Sequence, residues 1–123
     1  MKTSERYPVT QGDVIVNYAS SLFDRTEVTA PSLPADVFCG DILDSKTFAL
    51  FDSSAADAGK PIIGLSNMSA DGKPKTLVIV DRHVVITDFA LRAKDAASKK
   101  AALEALTASG DIRLAVNADY FKA

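Results

Sequence analysis

Four features of this 123-residue sequence carry atoms that can do chemistry. Ala58-Gly59-Lys60, inside FDSSAADAGKPIIGLS (51–66), has the Gly-Lys pair of a phosphate-cradling loop. His83 is the one histidine and Cys39 the one cysteine. Asp41 and Asp44 lie close enough along the chain to share acid and base work, if an apolar setting raised the pKa of one of them.

None of the four survives a local test. A phosphate loop reads G-x-x-x-x-G-K-[ST], follows a strand and opens a helix whose N-terminus faces the anion. Here Pro61 follows Lys60, Ser54 stands where the first glycine belongs, and the short β-branched run PIIGLS begins no helix. The stretch reads instead as a loop of small residues between two strands, with Gly64 placed for close backbone approach. His83 sits beside Arg82 in a predicted hairpin turn, and no G-x-S-x-G elbow supplies a nucleophile for it. Cys39, between Phe38 and Gly40, reads as a small buried hydrophobe. Asp41 and Asp44 read as a solvated strand end and turn. No C-x-x-C, H-x-x-x-H or EF-hand spacing occurs. The chain is therefore expected to be no enzyme, with no catalytic residue, no metal and no cofactor.

The elements that position these residues fit one domain. Hydrophobic residues make up 47% of the chain, enough for a core. A formal charge of −2, with basic residues interspersed among acids, gives no basic patch for nucleic acid. No apolar run approaches the ~20 residues that span a membrane, and MKTSERYPVTQGD has no apolar signal core. One cysteine allows no internal disulfide, which fits a reducing compartment. The expected partners thus include neither nucleic acid nor membrane.

Residues 1–34 are rich in Ser, Thr, Asp and Pro, with apolar islands at Tyr7-Pro8-Val9 and Val14-Ile15-Val16; they read as an extended N-terminal arm that docks onto its own domain or a partner. Pro31 and Pro34 punctuate the join. Residues 35–123 form the domain, and the fold class is α+β: β-rich, with short strands and one main helix near the C-terminus. Strands are predicted over 36–43, 47–52 and 61–68, a turn over 69–75, and two strands around Asp81-Arg82-His83. The helix is predicted over 94–110, with Asp95 or Ser98 at its start, an Ala97/Ala101/Ala105 and Leu103/Leu106 stripe, and Gly110 as its stop. A last strand is predicted over 111–119.

This order of elements resembles the head decoration proteins of lambda-type tailed phages. FALFDSSAADAGKPIIGLS resembles the family's aromatic-acid strand end, small-residue loop and following strand. TLVIVDRHVVITDFALRAKDAASKKAALEALTASGDIRLA resembles its closing hairpin, link, Lys-Lys helix and terminal strand, and APSLPADVFCGDIL its Pro-rich lead into the first strand. The resemblance covers about residues 30–116. It implies a homotrimer seated on the outer surface of the expanded capsid, made in the host cytoplasm, with the major capsid protein as partner. It also implies an arm that pairs with the capsid, for which Tyr7, Pro8, Val9, Val14, Ile15 and Val16 are the candidate contacts. The arm, and the tail NADYFKA with Tyr120 and Phe121, run longer than the family pattern. Two other readings stay open: a small β-rich oligomeric adaptor of another phage or host assembly, and an enzyme that uses His83 or Cys39.

Overall fold

The computed structural model describes residues 9–18 and 24–115, the side chains of 16–18 excepted. The fold is α+β, with short strands in three small sheets and one main helix. A single turn of helix, α1 (Gln11–Val14), leads into β1 (Ile15–Tyr18); Thr10 and Asp13 close its start as a capping box, in which the Asp13 carboxylate accepts from the Thr10 N–H at 2.9 Å. β2 (Arg25–Ala30) pairs antiparallel with β5 (Lys75–Val80) over six residues, and β3 (Ile42–Asp44) pairs with β4 (Pro61–Ile63). β6 (Val84–Thr87) is the centre of the third sheet, antiparallel to β1 and parallel to β7 (Ile112–Ala115). A parallel neighbour needs a long crossover, and α2 (Ala96–Thr107) supplies it.

The helix forms where its period and caps predict. Asp95 is the N-cap, its carboxylate accepting from the Ser98 N–H at 2.7 Å, and Gly110 takes the left-handed conformation (φ +84°) just beyond the end. Its core-facing stripe differs from the expected one. Ser98 and Ala102 are buried and Leu103 and Leu106 are partly so, while Ala97 and Ala105 are exposed. Ser98 is tolerated inside because its hydroxyl accepts from the Ser53 N–H at 2.9 Å.

Two of the expected strands are formed only in small part or not at all. Residues 47–52 contribute one isolated bridge, Leu43 to Leu50, because Phe48 adopts φ +62° and breaks the extended run. Of 36–43 only the end is ladder; Cys39-Gly40 is a turn, with Gly40 at φ +96°. β5 and β6 are both present, but they are not a hairpin. His83, also at φ +62°, turns the chain from one sheet into another, and its N–H donates to the Asp111 carbonyl at 2.6 Å.

The core has two parts. One gathers Val14, Ile15, Ile42, Ile63, Val80, Ile86 and Ile112 beneath α2, and Cys39 is buried within it as expected. The other gathers Ala30, Leu33, Val37, Leu43, Phe48 and Leu77. Residues 9–18 and 24–34 are thus built into the fold and do not project from it: Val14 is fully buried, Ile15 nearly so, and β2 is half of a sheet.

Deleting residues 2–29 should therefore abolish cooperative folding. Burial of one Val or Ile side chain is worth roughly 1.5–3 kcal/mol, and the deletion removes two such residues with a whole strand partner from a domain whose stability is of order 5–15 kcal/mol. Thermal unfolding followed by circular dichroism checks this. A retained sigmoidal transition near that of the full chain would contradict the integrated core.

Candidate functional site

Chemistry-bearing side chains converge where residues 36–44 cross residues 88–95. Asp41 is buried, and the Arg92 Nε and Nη2 groups donate to its two oxygens at 2.9 Å each. Oδ2 also accepts from the Phe38 N–H at 3.0 Å. The backbones follow the same contact: the Ile42 N–H donates to the Arg92 carbonyl at 2.7 Å and the Arg92 N–H to the Gly40 carbonyl at 2.9 Å. Donating to the Asp41 carboxylate pushes the Arg92 pKa further up, so the guanidinium is permanently charged. The Phe38 ring lies 5.7 Å from the guanidinium carbon, a cation–π distance, while remaining 49% exposed. Phe89, on the same crossing, is 63% exposed. A groove of about 410 Å³ opens beside this cluster, walled by Pro34, Val37, Leu43, Phe48 and Leu50.

Asp41 and Asp44 are not the solvated turn expected of them; both are buried. They are also not an acid/base pair, because each is committed elsewhere. Asp44 accepts from the Lys46 and Gly59 N–H groups at 2.8 and 2.9 Å. Burial raises its pKa, and those backbone donors together outweigh burial and hold it below the ordinary value.

This is also what becomes of the Gly59-Lys60 pair. The Gly59 N–H faces a carboxylate of its own chain, and a Cβ there would lie 2.7 Å from Asp44 Oδ1. The rest of the loop is pinned in the same manner. Asp52 accepts from the Ser54 hydroxyl at 2.7 Å and from Lys94 at 2.9 Å. Gly64 makes no unusually close approach, since its Cβ would stand 3.5 Å from the Asp41 carbonyl oxygen. Gly40 does: its Cβ would sit 2.3 Å from the Ala90 carbonyl oxygen.

Among the described residues, the candidate contacts are largely inside the domain. Val14 and Ile15 lie in the main core, and this corrects their expected role, because a side chain packed inside its own domain cannot anchor a partner. Val9 is partly buried against the same cluster. Val16 lies in β1, with its side chain outside the described residues, as are Tyr7 and Pro8, and also Tyr120 and Phe121 of the tail. His83 is exposed and Cys39 is buried, its N–H donating to Asn67 Oδ1 at 3.1 Å. Sequence reasoning missed the Asp41–Arg92 pair; the turn glycine before Asp41 was the available signal.

No family model, curated protein or solved structure matches the chain.

Gly40→Ala should destabilise the domain by about 3 kcal/mol, combining the left-handed backbone penalty with a clash against main chain that cannot move aside. Gly64→Ala should cost far less, and paired urea titrations compare the two. A pH series tests the aspartate caps. Asp52 is held at about 2, below its ordinary 3.8, chiefly by the Ser54 hydroxyl and then by Lys94. Asp71, held by Lys75, and Asp95, held by the Ser98 N–H, are lowered too. A carboxylate with a depressed folded-state pKa contributes stability above its unfolded value and loses it as pH falls through the folded one. The urea midpoint should thus be steady above about pH 5 and fall between about pH 4 and 2. Asp52→Asn should make that fall shallower.

Proposed function

We propose that the protein is a head decoration (cement) protein of a tailed phage, which binds the outer surface of the expanded capsid as a homotrimer and stabilises the shell against the pressure of packaged DNA. The observation that carries this reading is the stretch FALFDSSAADAGKPIIGLS, which resembles the family in residues and in its place within the order of elements. The mechanism is mass action: a protein that binds the intact lattice and not its ruptured state stabilises the lattice. Three linked subunits need not bind tightly one by one, since joint engagement raises avidity by roughly 10²–10⁴.

The expected arm is narrower than residues 1–34. With Val14 and Ile15 inside the domain, capsid contact falls to other groups, and the exposed Phe38 and Phe89 are the largest apolar side chains available for it among the described residues. A small adaptor of another assembly would use the same surface. Co-expression with the major capsid protein of the same genome, followed by sedimentation of expanded shells, separates the two. On the decoration reading the protein sediments with the shells in multiples of three copies, and Phe38→Asp with Phe89→Asp abolishes this. Protein left at the top of the gradient overturns the reading.

A further inference from the structure

β2 is an edge that the described fold leaves open. Its ladder with β5 runs from Arg25 to Ala30 without a bulge, and no other described strand lies beside it. The far side of β5 is taken: the Val78 N–H donates to Ser66 Oγ at 3.0 Å, and the Val78 carbonyl accepts from the Leu65 N–H at 2.7 Å. Val78 stands opposite Glu27. Opposed residues of an antiparallel ladder either bond each other or both face away, so the Glu27 N–H and C=O point outward along the open edge, and those of Thr29 with them. Among the described residues these groups make no hydrogen bond. Proteins commonly guard such an edge with proline, lysine or a bulge, and none of the three occurs in β2.

We propose that β2 is a self-association edge, which pairs antiparallel with β2 of a second copy about a two-fold axis at Val28. A two-fold contact needs a segment complementary to itself, and β2 meets that condition in this register. Glu27 lies opposite Thr29 of the second copy and Thr29 opposite its Glu27, each pair exchanging both of its N–H to carbonyl bonds. Val28, half-buried against the second core cluster, meets its own copy at the close-spaced position on the axis and extends that cluster across it. The neighbouring registers fit less well. An axis at Glu27 sets two like charges face to face. One at Thr29 sets Pro31, which has no N–H, opposite Glu27. One at Thr26 draws on Arg25, whose side chain is committed to Asp24 and Gln11, and runs the ladder into buried Asp24. Because the contact is two-fold it does not build a trimer, and it stands or falls separately from the decoration reading.

The test combines sedimentation velocity of the full chain over about a hundredfold range of concentration with amide hydrogen exchange of the ¹⁵N-labelled protein at both ends of that range. The expected result is a reversible doubling of mass, with exchange at the Glu27 and Thr29 N–H groups slowing as concentration rises. Thr26 and Val28, bonded to β5, should be protected throughout. Two substitutions at the exposed Thr29 fix the register. Thr29→Lys places an ammonium opposite Glu27 on both sides of the axis and should tighten the dimer about fivefold, whereas Thr29→Glu places a carboxylate there and should weaken it by a similar factor. Absence of a doubled species, exchange at Glu27 and Thr29 that ignores concentration, or two variants that fail to move association in opposite directions would each overturn the proposal.

Discussion

The buried carboxylate of Asp41 is the constraint to which the rest of the structure answers. A carboxylate removed from water costs several kcal/mol unless it is paired and its lone pairs are used. Arg92 supplies the pairing and the Phe38 N–H takes part of what remains. That requirement ties two segments far apart in sequence into one crossing, and the crossing is tight enough that only glycine fits at position 40. Cys39, Ile42, Ala90 and Leu91, which flank the pair along both segments, are all buried in the main core. Removing either partner would strand the other charge and loosen the apolar residues on both sides.

Elsewhere the same economy recurs with weaker stakes. The three sheets are small, so ladders satisfy only part of the backbone; turns satisfy most of the remainder, and aspartates cap several further N–H groups. Asp44 caps the Lys46 and Gly59 N–H groups, Asp36 caps Ala70, Asp52 caps Ser54, Asp71 caps Lys73 and Asp95 caps Ser98. Short polar side chains are suited to this, since they reach neighbouring N–H groups with little loss of rotamer freedom. The acidic residues that look from composition like a solvated surface are thus part of the fold's hydrogen bonding. Asp24 marks the limit of the pattern: it is fully buried and pairs with Arg25, yet its Oδ1 has no partner among the described residues.

Local periodicity and turn chemistry made much of this legible. The 3.6-residue pattern, Asp95 and Gly110 define α2 to within a few residues, and β-branched runs locate β5 and β6. What the residues do not carry is which strand pairs with which. The β-branched character of 76–88 suits strands equally well in one hairpin or in two sheets, and the left-handed turn at His83 decides between them. The Asp41–Arg92 pair was hidden for the same reason, with its partners 51 positions apart. For Val14 and Ile15 it is the own-domain docking of the 1–34 reading that the structure shows, because apolar islands too small to form a core alone can complete one built by others.

That docking changes what a binding mechanism can rest on. An arm that stays unfolded until it meets a partner loses conformational freedom at that moment, at a cost of roughly 1–2 kcal/mol per residue fixed. Residues already in β1 and β2 have met that cost in the fold and offer no such coupling. The loops of this domain are similarly committed: Asp44 and Lys94 pin the 52–60 segment from two sides, and Arg92 fixes the ring of Phe38. Rigid, half-exposed aromatic groups on a fixed frame gain more from contact than mobile ones do, because little order remains to be imposed. On the decoration reading, a subunit of this kind would clamp a lattice by presenting preformed surfaces.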